Sequence, residues 1–352
     1  MTRKTHVIYL AIIIVLLIFV TMLGAKVWYA TQAVAAIERQ FGINFQSMPL
    51  RLMPLHKKTP DQIQKIKTMK DYRSHINLAL DNAISSDFKY NTEIQGATKL
   101  ALSGGKRLRP IIMMEIARKA CKEPVDTTEA ATAIEYIHAA SLVVDDMPHF
   151  DNDILRRGEP TVHKQFGSDV AQMTAMALMA AATHNLCRQV DWIKTNCNDI
   201  KHADQIGMQL CSIISRSLSG AAAGQLLDMR HETVPAQSEA VLYLKTATFF
   251  EISVVAGWVL AGQDLAKVAQ IQNIGRYLGV AFQIADDIGD MKKDAAKGTY
   301  NFANINGASF ARAEMEQHLI SARNLLTKMD LWSEIWEVEI YPAIYKMSQS
   351  ED

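Results

Sequence analysis

The sequence predicts one large all-α domain behind a single N-terminal membrane helix, and three observations predict it. From about residue 61 onward, apolar residues recur at three- and four-residue intervals almost without a break, the spacing of one helix face. Alanine, leucine and methionine, all good helix formers, dominate that pattern. Ahead of it, Val7 to Leu23 runs seventeen residues without a charge, near the lower end of the roughly 17 to 25 that span a bilayer. No stretch alternates long enough for a convincing strand, and no internal repeat is present.

In chain order, Gly24 and Ala25 extend the apolar run, so residues 1–25 read as a membrane anchor. A cleaved signal has a shorter apolar core, about 7 to 15 residues. Arg3 and Lys4 on one side nearly balance Lys26 and Arg39 on the other, which leaves orientation open by the positive-inside count. Residues 26–60 read as a tether: "SMPLRLMPLHKKTP" sets Pro49, Pro54 and Pro60 among Arg51, Lys57 and Lys58. Proline at that density opposes regular structure, leaving a semi-rigid basic segment that is solvated or lies against anionic headgroups. Residues 61–352 form the all-α domain, with helices at "DYRSHINLALDNAI", "TEAATAIEYIHAASLVV", "AQMTAMALMAAATHNLC" and "IGRYLGVAFQIADDI".

Lysine plus arginine equals aspartate plus glutamate, 37 each in 352 residues. Zero net charge supplies no global basic field, so no nucleic-acid partner is expected. Cys121, Cys187, Cys197 and Cys211 match neither CxxC nor zinc spacing and read as free thiols in a reducing compartment.

The charge chemistry is local. "SLVVDDMPHFDNDILRRGEPT" crowds Asp145, Asp146, Asp151 and Asp153 directly after an apolar run and ends on Arg156 and Arg157. Crowded carboxylates repel one another and lose hydration near a core. Pro148 disfavours helix at Met147, so the chain should bulge there and bring Asp151 back beside Asp145. A second cluster, "FQIADDIGD", spaces Gln283, Asp286, Asp287 and Asp290 by three and four residues, which puts them on one helix face. Hard carboxylates without cysteine suit Mg²⁺, which joins one or two carboxylates to substrate phosphates. An EF-hand fails on spacing, since the loop glycine and closing glutamate are missing after Asp151.

"GGKRLRP" offers Lys106, Arg107 and Arg109 after a flexible Gly-Gly. It does not match a P-loop but resembles a diphosphate clamp, because arginine forks bind phosphate oxygens bidentately. His138 lies seven residues before Asp145, on the same helical side, as a packed histidine or a donor to phosphate. "YLKTATFFE" sets Lys245 and Thr246 among apolar neighbours, where a snorkelling lysine is the ordinary alternative.

Together these residues resemble the trans-isoprenyl diphosphate synthase (polyprenyl synthetase) family, of which the farnesyl and geranylgeranyl diphosphate synthases are members. The resemblance covers roughly residues 70 to 310 and rests on GGKRLRP, DDMPHFD with RRG, GQLLD at 224–228, KT at 245–246 and FQIADDIGD, in family order. The anchor, DDMPHFDND and "NLCRQVDWIKTNC" are similar to the membrane-anchored branch found in large cytoplasmic DNA viruses.

The resemblance implies an isoprenoid-synthase-type helical bundle around a central cavity, usually homodimeric. It implies that Asp145, Asp146, Asp151, Asp286, Asp287 and Asp290 hold Mg²⁺, or Mn²⁺ in its place, on an allylic diphosphate. Arg156, Lys245 and Gln283 would bind that same substrate. Lys106, Arg109, His138 and Arg157 would bind isopentenyl diphosphate, and Thr246 would face the developing allylic cation. After the second cluster, "KKDAAKGTYNFANINGAS" departs from the family's lysine-rich pattern, leaving both Lys293 and Lys297 as the lid lysine. Dimethylallyl, geranyl and farnesyl diphosphates are the expected allylic partners. Ser141 and Ala140, four and five places before Asp145, are small. In this family that implies elongation past fifteen carbons to geranylgeranyl diphosphate, with farnesyl or longer products as alternatives. The catalytic domain is expected to face the cytosol from an endoplasmic reticulum or viral membrane. A class I terpene cyclase lacks GGKRLRP, and an inactive tethered partner subunit typically loses one aspartate motif; this chain keeps both.

Overall fold

Thr68 opens the first described helix with a reciprocal cap: its Oγ1 accepts from the Asp71 N–H, and its own N–H donates to Asp71 Oδ2, both at 3.1 Å. Such a capping box satisfies two donors that a helix start would leave unpaired. The computed structural model describes residues 68–197, 199–200, 202–229 and 240–349. The anchor expected at 1–25 and the tether at 26–60 lie outside these residues.

Thirteen helices follow within the described residues. They are α1 Met69–Asp87, α2 Thr92–Leu102, α3 Leu108–Ala120, α4 Thr128–Asp145, α5 Val162–Phe166, α6 Ser168–Asn196 and α7 Ala203–Met229. Beyond them come α8 Thr248–Leu260, α9 Val268–Gly289, α10 Met291–Lys297, α11 Phe302–Asn306, α12 Ala308–Lys328 and α13 Tyr341–Met347. The four helical stretches expected from periodicity fall inside α1, α4, α6 and α9.

One feature departs from the all-α expectation: Leu155–Arg156 and Glu159–Pro160 pair as a two-stranded antiparallel hairpin. Its strands are two residues each, too short for alternation to register in the sequence.

Two helices are core. Every residue of α8 is buried, as are most of α4, the mark of helices apolar on all sides and surrounded by others. Helix α4 packs mainly on α6, while α8 is enclosed by α3, α7 and α9, and α9 carries α12 on its far side. The continuous stretch Ala240–Leu260 is long and apolar enough to cross a membrane, yet 78% of its apolar window is buried in protein. Each large side chain such as Phe250, 0% exposed, contributes about 1.5–3 kcal/mol through burial.

Two buried polar hubs fix how the helices meet. Glu115 of α3 accepts from Tyr72 Oη at 2.8 Å, from Arg118, and from Ser333 Oγ at 2.5 Å, tying α1 and the C-terminal segment to α3. Asp87 at the end of α1 accepts from Tyr136 of α4 at 3.2 Å and Asn185 of α6 at 3.0 Å. Buried groups satisfied this way specify one arrangement. The four cysteines are free thiols, all half-buried.

Candidate active site

Helix α4 ends at Asp145, and Asp146 caps it by donating its N–H to Leu142 O. Met147 N–H still reaches back to Val144 O, but after Pro148 the chain turns: Phe150 and Asn152 both donate to Met147 O. Asp151 N–H then donates to Asp145 O at 3.0 Å. The bulge expected from Pro148 is present, and it returns Asp151 beside Asp145. Loss of solvent pushes the Asp145 carboxyl up, although Lys245 and Arg156 pull it back. Asp151, also desolvated and facing Asp145, is pushed up to about 6.

The hairpin explains why two arginines follow. Its two-residue loop is Arg157-Gly158, with φ of 55° and 84°, the positive pair a tight hairpin turn requires. This turn sends neighbouring side chains apart. Arg156 reaches back to Asp146, donating from Nε to Oδ1 at 2.9 Å and from Nη2 to the same oxygen. Its Nη2 also lies 3.9 Å from Asp145 and 3.6 Å from Asp153. Arg157 turns the other way and donates to Ser103 O at 3.1 Å, beside the Gly104-Gly105 loop.

In that loop the expected three-cation clamp needs correction. Arg107, at φ 54° before α3, points inward to Asn77 Oδ1 at 3.0 Å, Glu135 Oε1 at 2.5 Å and Leu102 O. It braces the core, because Glu135 of α4 offers a buried counter-charge that local spacing cannot reveal. Lys106 stays exposed. Arg109 lies against three rings, 4.8 Å from Phe250, 5.6 Å from Phe282 and 5.8 Å from Phe249. Burial pushes Arg109 down to about 10, which leaves it charged at neutral pH.

Arg109 Nη1 is 3.2 Å from His138 Nε2. Arginine has no acceptor, so that nitrogen of His138 accepts. Burial, then the surrounding arginines, hold the imidazole neutral, well below its usual range. His138 therefore orients Arg109 here. Arg109 Nε is buried without a hydrogen-bond partner.

Lys245 and Thr246 do not continue a regular helix. Tyr243–Ala247 is a π-turn, a one-residue widening often found at functional sites. Helix α7 presses on it: a Cβ on Gly224 would stand 2.5 Å from Lys245 N and 2.8 Å from Leu244 C. The turn aims Lys245 Nζ at Asp228 Oδ2, 2.5 Å away, with Asp145 Oδ1 at 4.0 Å. This lysine is engaged rather than snorkelling. Asp228 is a site residue that sequence reasoning gave no role, and its signal was the aspartate closing GQLLD.

Thr246 faces the second cluster. Its Oγ1 donates to Gln283 Oε1 at 2.6 Å, and Gln283 Nε2 donates to Asp287 Oδ1 at 2.7 Å. The other oxygen of Asp287 accepts from Phe302 N–H at 2.8 Å. Gln283, Asp286, Asp287 and Asp290 do not all look outward. Asp287 is 5% exposed and turned into the protein, while Asp286 is open to solvent. Burial pushes Asp287 up to about 7. Asp286 keeps an open surface, but the protein crowded around its carboxyl takes away part of its solvent and raises it, with Asp290 adding to this. Lys106 and Arg109 act on Asp286 from across the site.

The two candidate lid lysines are paired differently. Lys293 pairs locally with Asp290 at 2.9 Å, whereas Lys297 crosses to Asp153 of the first-motif loop at 2.8 Å.

The donor set fits a hard divalent ion that keeps waters and shares a phosphate. All its candidate ligands are carboxylates, and loss of solvent raises both Asp145 and Asp151. Among the described residues, no three carboxylate, histidine or cysteine groups converge as a closed protein cage.

Comparison with known proteins shows the family. The polyprenyl synthetase family model matches residues 91–303. A trans-prenyltransferase of African swine fever virus (isolate Pig/Kenya/KEN-50/1950) is 35% identical over 349 residues, 97% of this chain and 98% of that one. A farnesyl diphosphate synthase of Geobacillus stearothermophilus is 32% identical, covering 72% of this chain and 89% of its own. The fold is similar to that of a geranyltransferase from Legionella pneumophila, with TM-score 0.67 at 23% identity over 83% of this chain and all of that one. The chain belongs to the polyprenyl synthetase family of prenyltransferases.

Proposed function

We propose that the protein condenses isopentenyl diphosphate with allylic diphosphates, dependent on Mg²⁺ or Mn²⁺, and stops mainly at the twenty-carbon geranylgeranyl diphosphate. One observation carries the reading: a single π-turn offers Lys245 to the first acidic cluster and Thr246, through Gln283, to the second. Asp145, Asp151, Asp286 and Asp290 would hold the ion. Asp146 and Asp287 support it indirectly, the one fastening Arg156 and the other fastening Phe302. When bound, the ion neutralises the allylic diphosphate as a leaving group.

The chain's own groups do the rest. Lys245, Arg156 and Lys297 add positive charge to that diphosphate, and preorganised cations of this kind favour charge developing on departure. The Thr246 hydroxyl oxygen faces the allylic cation. Lys106, Arg109 and Arg157 hold isopentenyl diphosphate, with His138 orienting Arg109. Its double bond attacks the cation, a carbon–carbon bond forms and a proton is lost. Exclusion of water from the closed site would keep the cation from being quenched.

Product length is argued from α4. Ser141, one turn before Asp145, is half-exposed, whereas Ala140 is 2% exposed in the core. An aromatic residue at position 140 would overpack the core, so the blocking position is Ser141. Ser141→Phe is expected to shift product from twenty toward fifteen carbons by chromatography. Wild type stopping at fifteen, as the name of the Geobacillus relative describes, or an unchanged distribution, refutes this length assignment.

The domain assignment extends the proposal: anchor 1–25, tether 26–60, catalytic domain 61–352. It holds the domain at an endoplasmic reticulum or viral membrane, facing the cytosol. Support comes from the uncharged run and from a viral alignment spanning 97% of the chain. Alkaline carbonate is expected to leave the protein in the membrane, and release would overturn the anchor. The homodimer expectation finds support in Met173 and Met176 of α6 and Met208 and Leu226 of α7, all exposed. Light scattering at the single-chain mass would reject it.

A further inference from the structure

Asp153 lies outside the metal-binding pattern of the first cluster, two residues past Asp151 in the loop before the hairpin. Its carboxylate spans two cations from distant parts of the chain. Oδ1 accepts from Lys297 Nζ at 2.8 Å, and Oδ2 lies 3.6 Å from Arg156 Nη2. Lys297 is the last residue of α10, 144 positions along the sequence. The ion pair therefore joins the 291–306 segment to the first-motif loop. All three side chains are partly open, with 47% of Lys297, 27% of Asp153 and 32% of Arg156 exposed. An entering anion can reach them.

Arg156 and Lys297 carry like charge, and two cations gathered at one point repel unless an anion lies between them. A diphosphate does this when bound. We propose that Asp153 does it when no diphosphate is bound: it is a positioning residue whose carboxylate draws Lys297 in beside Arg156, itself fastened by Asp146, until a diphosphate displaces it. Substrate then meets cations already in place but must displace the carboxylate that holds them, so the pairs it breaks weaken its binding. The identity of that diphosphate rests on the prenyl-transfer reading. The latch itself rests on the ion pairs.

Asp153→Asn keeps the volume and removes the charge. In the full chain without ligand, it is expected to speed amide exchange over residues 291–300 by about 2- to 5-fold, the range of a partly exposed ion pair. Saturating Mg²⁺ with inorganic diphosphate should erase that difference. In turnover, the variant should lower KM for the allylic diphosphate about 2- to 5-fold with kcat nearly unchanged, because the diphosphate no longer has to displace a carboxylate, and Asp153→Glu should restore the wild-type KM. In a Lys297→Gln background, Asp153→Asn should add little, because the residue it positions is gone. Unchanged exchange over 291–300, a difference that persists with inorganic diphosphate, a raised KM, or an equal KM fall without Lys297 would overturn the proposal. The exchange arm needs no turnover. Wild type that elongates no allylic substrate would instead overturn the prenyl-transfer reading.

Discussion

Asp145→Ala is expected to lower prenyl transfer by about 10³-fold or more, roughly 4 kcal/mol of transition-state stabilisation. Circular dichroism and melting temperature should barely move. The variant keeps the backbone carbonyl that accepts from Asp151 N–H. The side chain it removes makes only long contacts, 4.0 Å to Lys245 and 3.9 Å to Arg156, and pairs like these contribute little to stability. Losing one of several crowded carboxylates also relieves repulsion, so the empty protein should be no less stable. A fall in turnover below tenfold, or a large drop in melting temperature, would mean that Asp145 serves the fold rather than the reaction.

Gly224→Ala should destabilise the protein by about 1–3 kcal/mol, the usual cost of overpacking a filled core. For a domain of this size that corresponds to several degrees of melting temperature. The sign is informative, because glycine to alanine inside an ordinary helix stabilises by about 1 kcal/mol. Here the new methyl would meet Lys245 N at 2.5 Å and Leu244 C at 2.8 Å, backbone atoms that cannot rotate away. Either α7 or the π-turn must retreat, and Asp228 lies one turn beyond Gly224. The Lys245–Asp228 pair should shift, and activity should fall at least tenfold. A rise in melting temperature would show that the helices do not approach this closely.

Fold class and much of the site were legible in the sequence, because periodicity and local spacing carry them. Pro148 foretold the bulge that seats Asp151 beside Asp145. What stayed hidden depends on tertiary partners. Spacing put Asp286 and Asp287 on nearly one helix face, but only Phe302 N–H and Gln283 decide that Asp287 turns inward. Arg107 looked like its neighbours until Glu135, 28 residues on, drew it into the core. The π-turn is a register change stabilised by packing, and the pattern around Lys245 reads as plain helix without it. Lys293 and Lys297 looked equivalent in the sequence, and only the approach of Asp153 separates them.

The central claim is that two acidic clusters and a lysine turn use a divalent ion to join two diphosphate substrates. The most direct measurement incubates the full chain in detergent with isopentenyl diphosphate and an allylic diphosphate, in Mg²⁺ or in excess chelator, and quantifies elongated product. Elongation only when both substrates and Mg²⁺ are present is the predicted result. Equal elongation in excess chelator, or product from the allylic diphosphate alone, would contradict it.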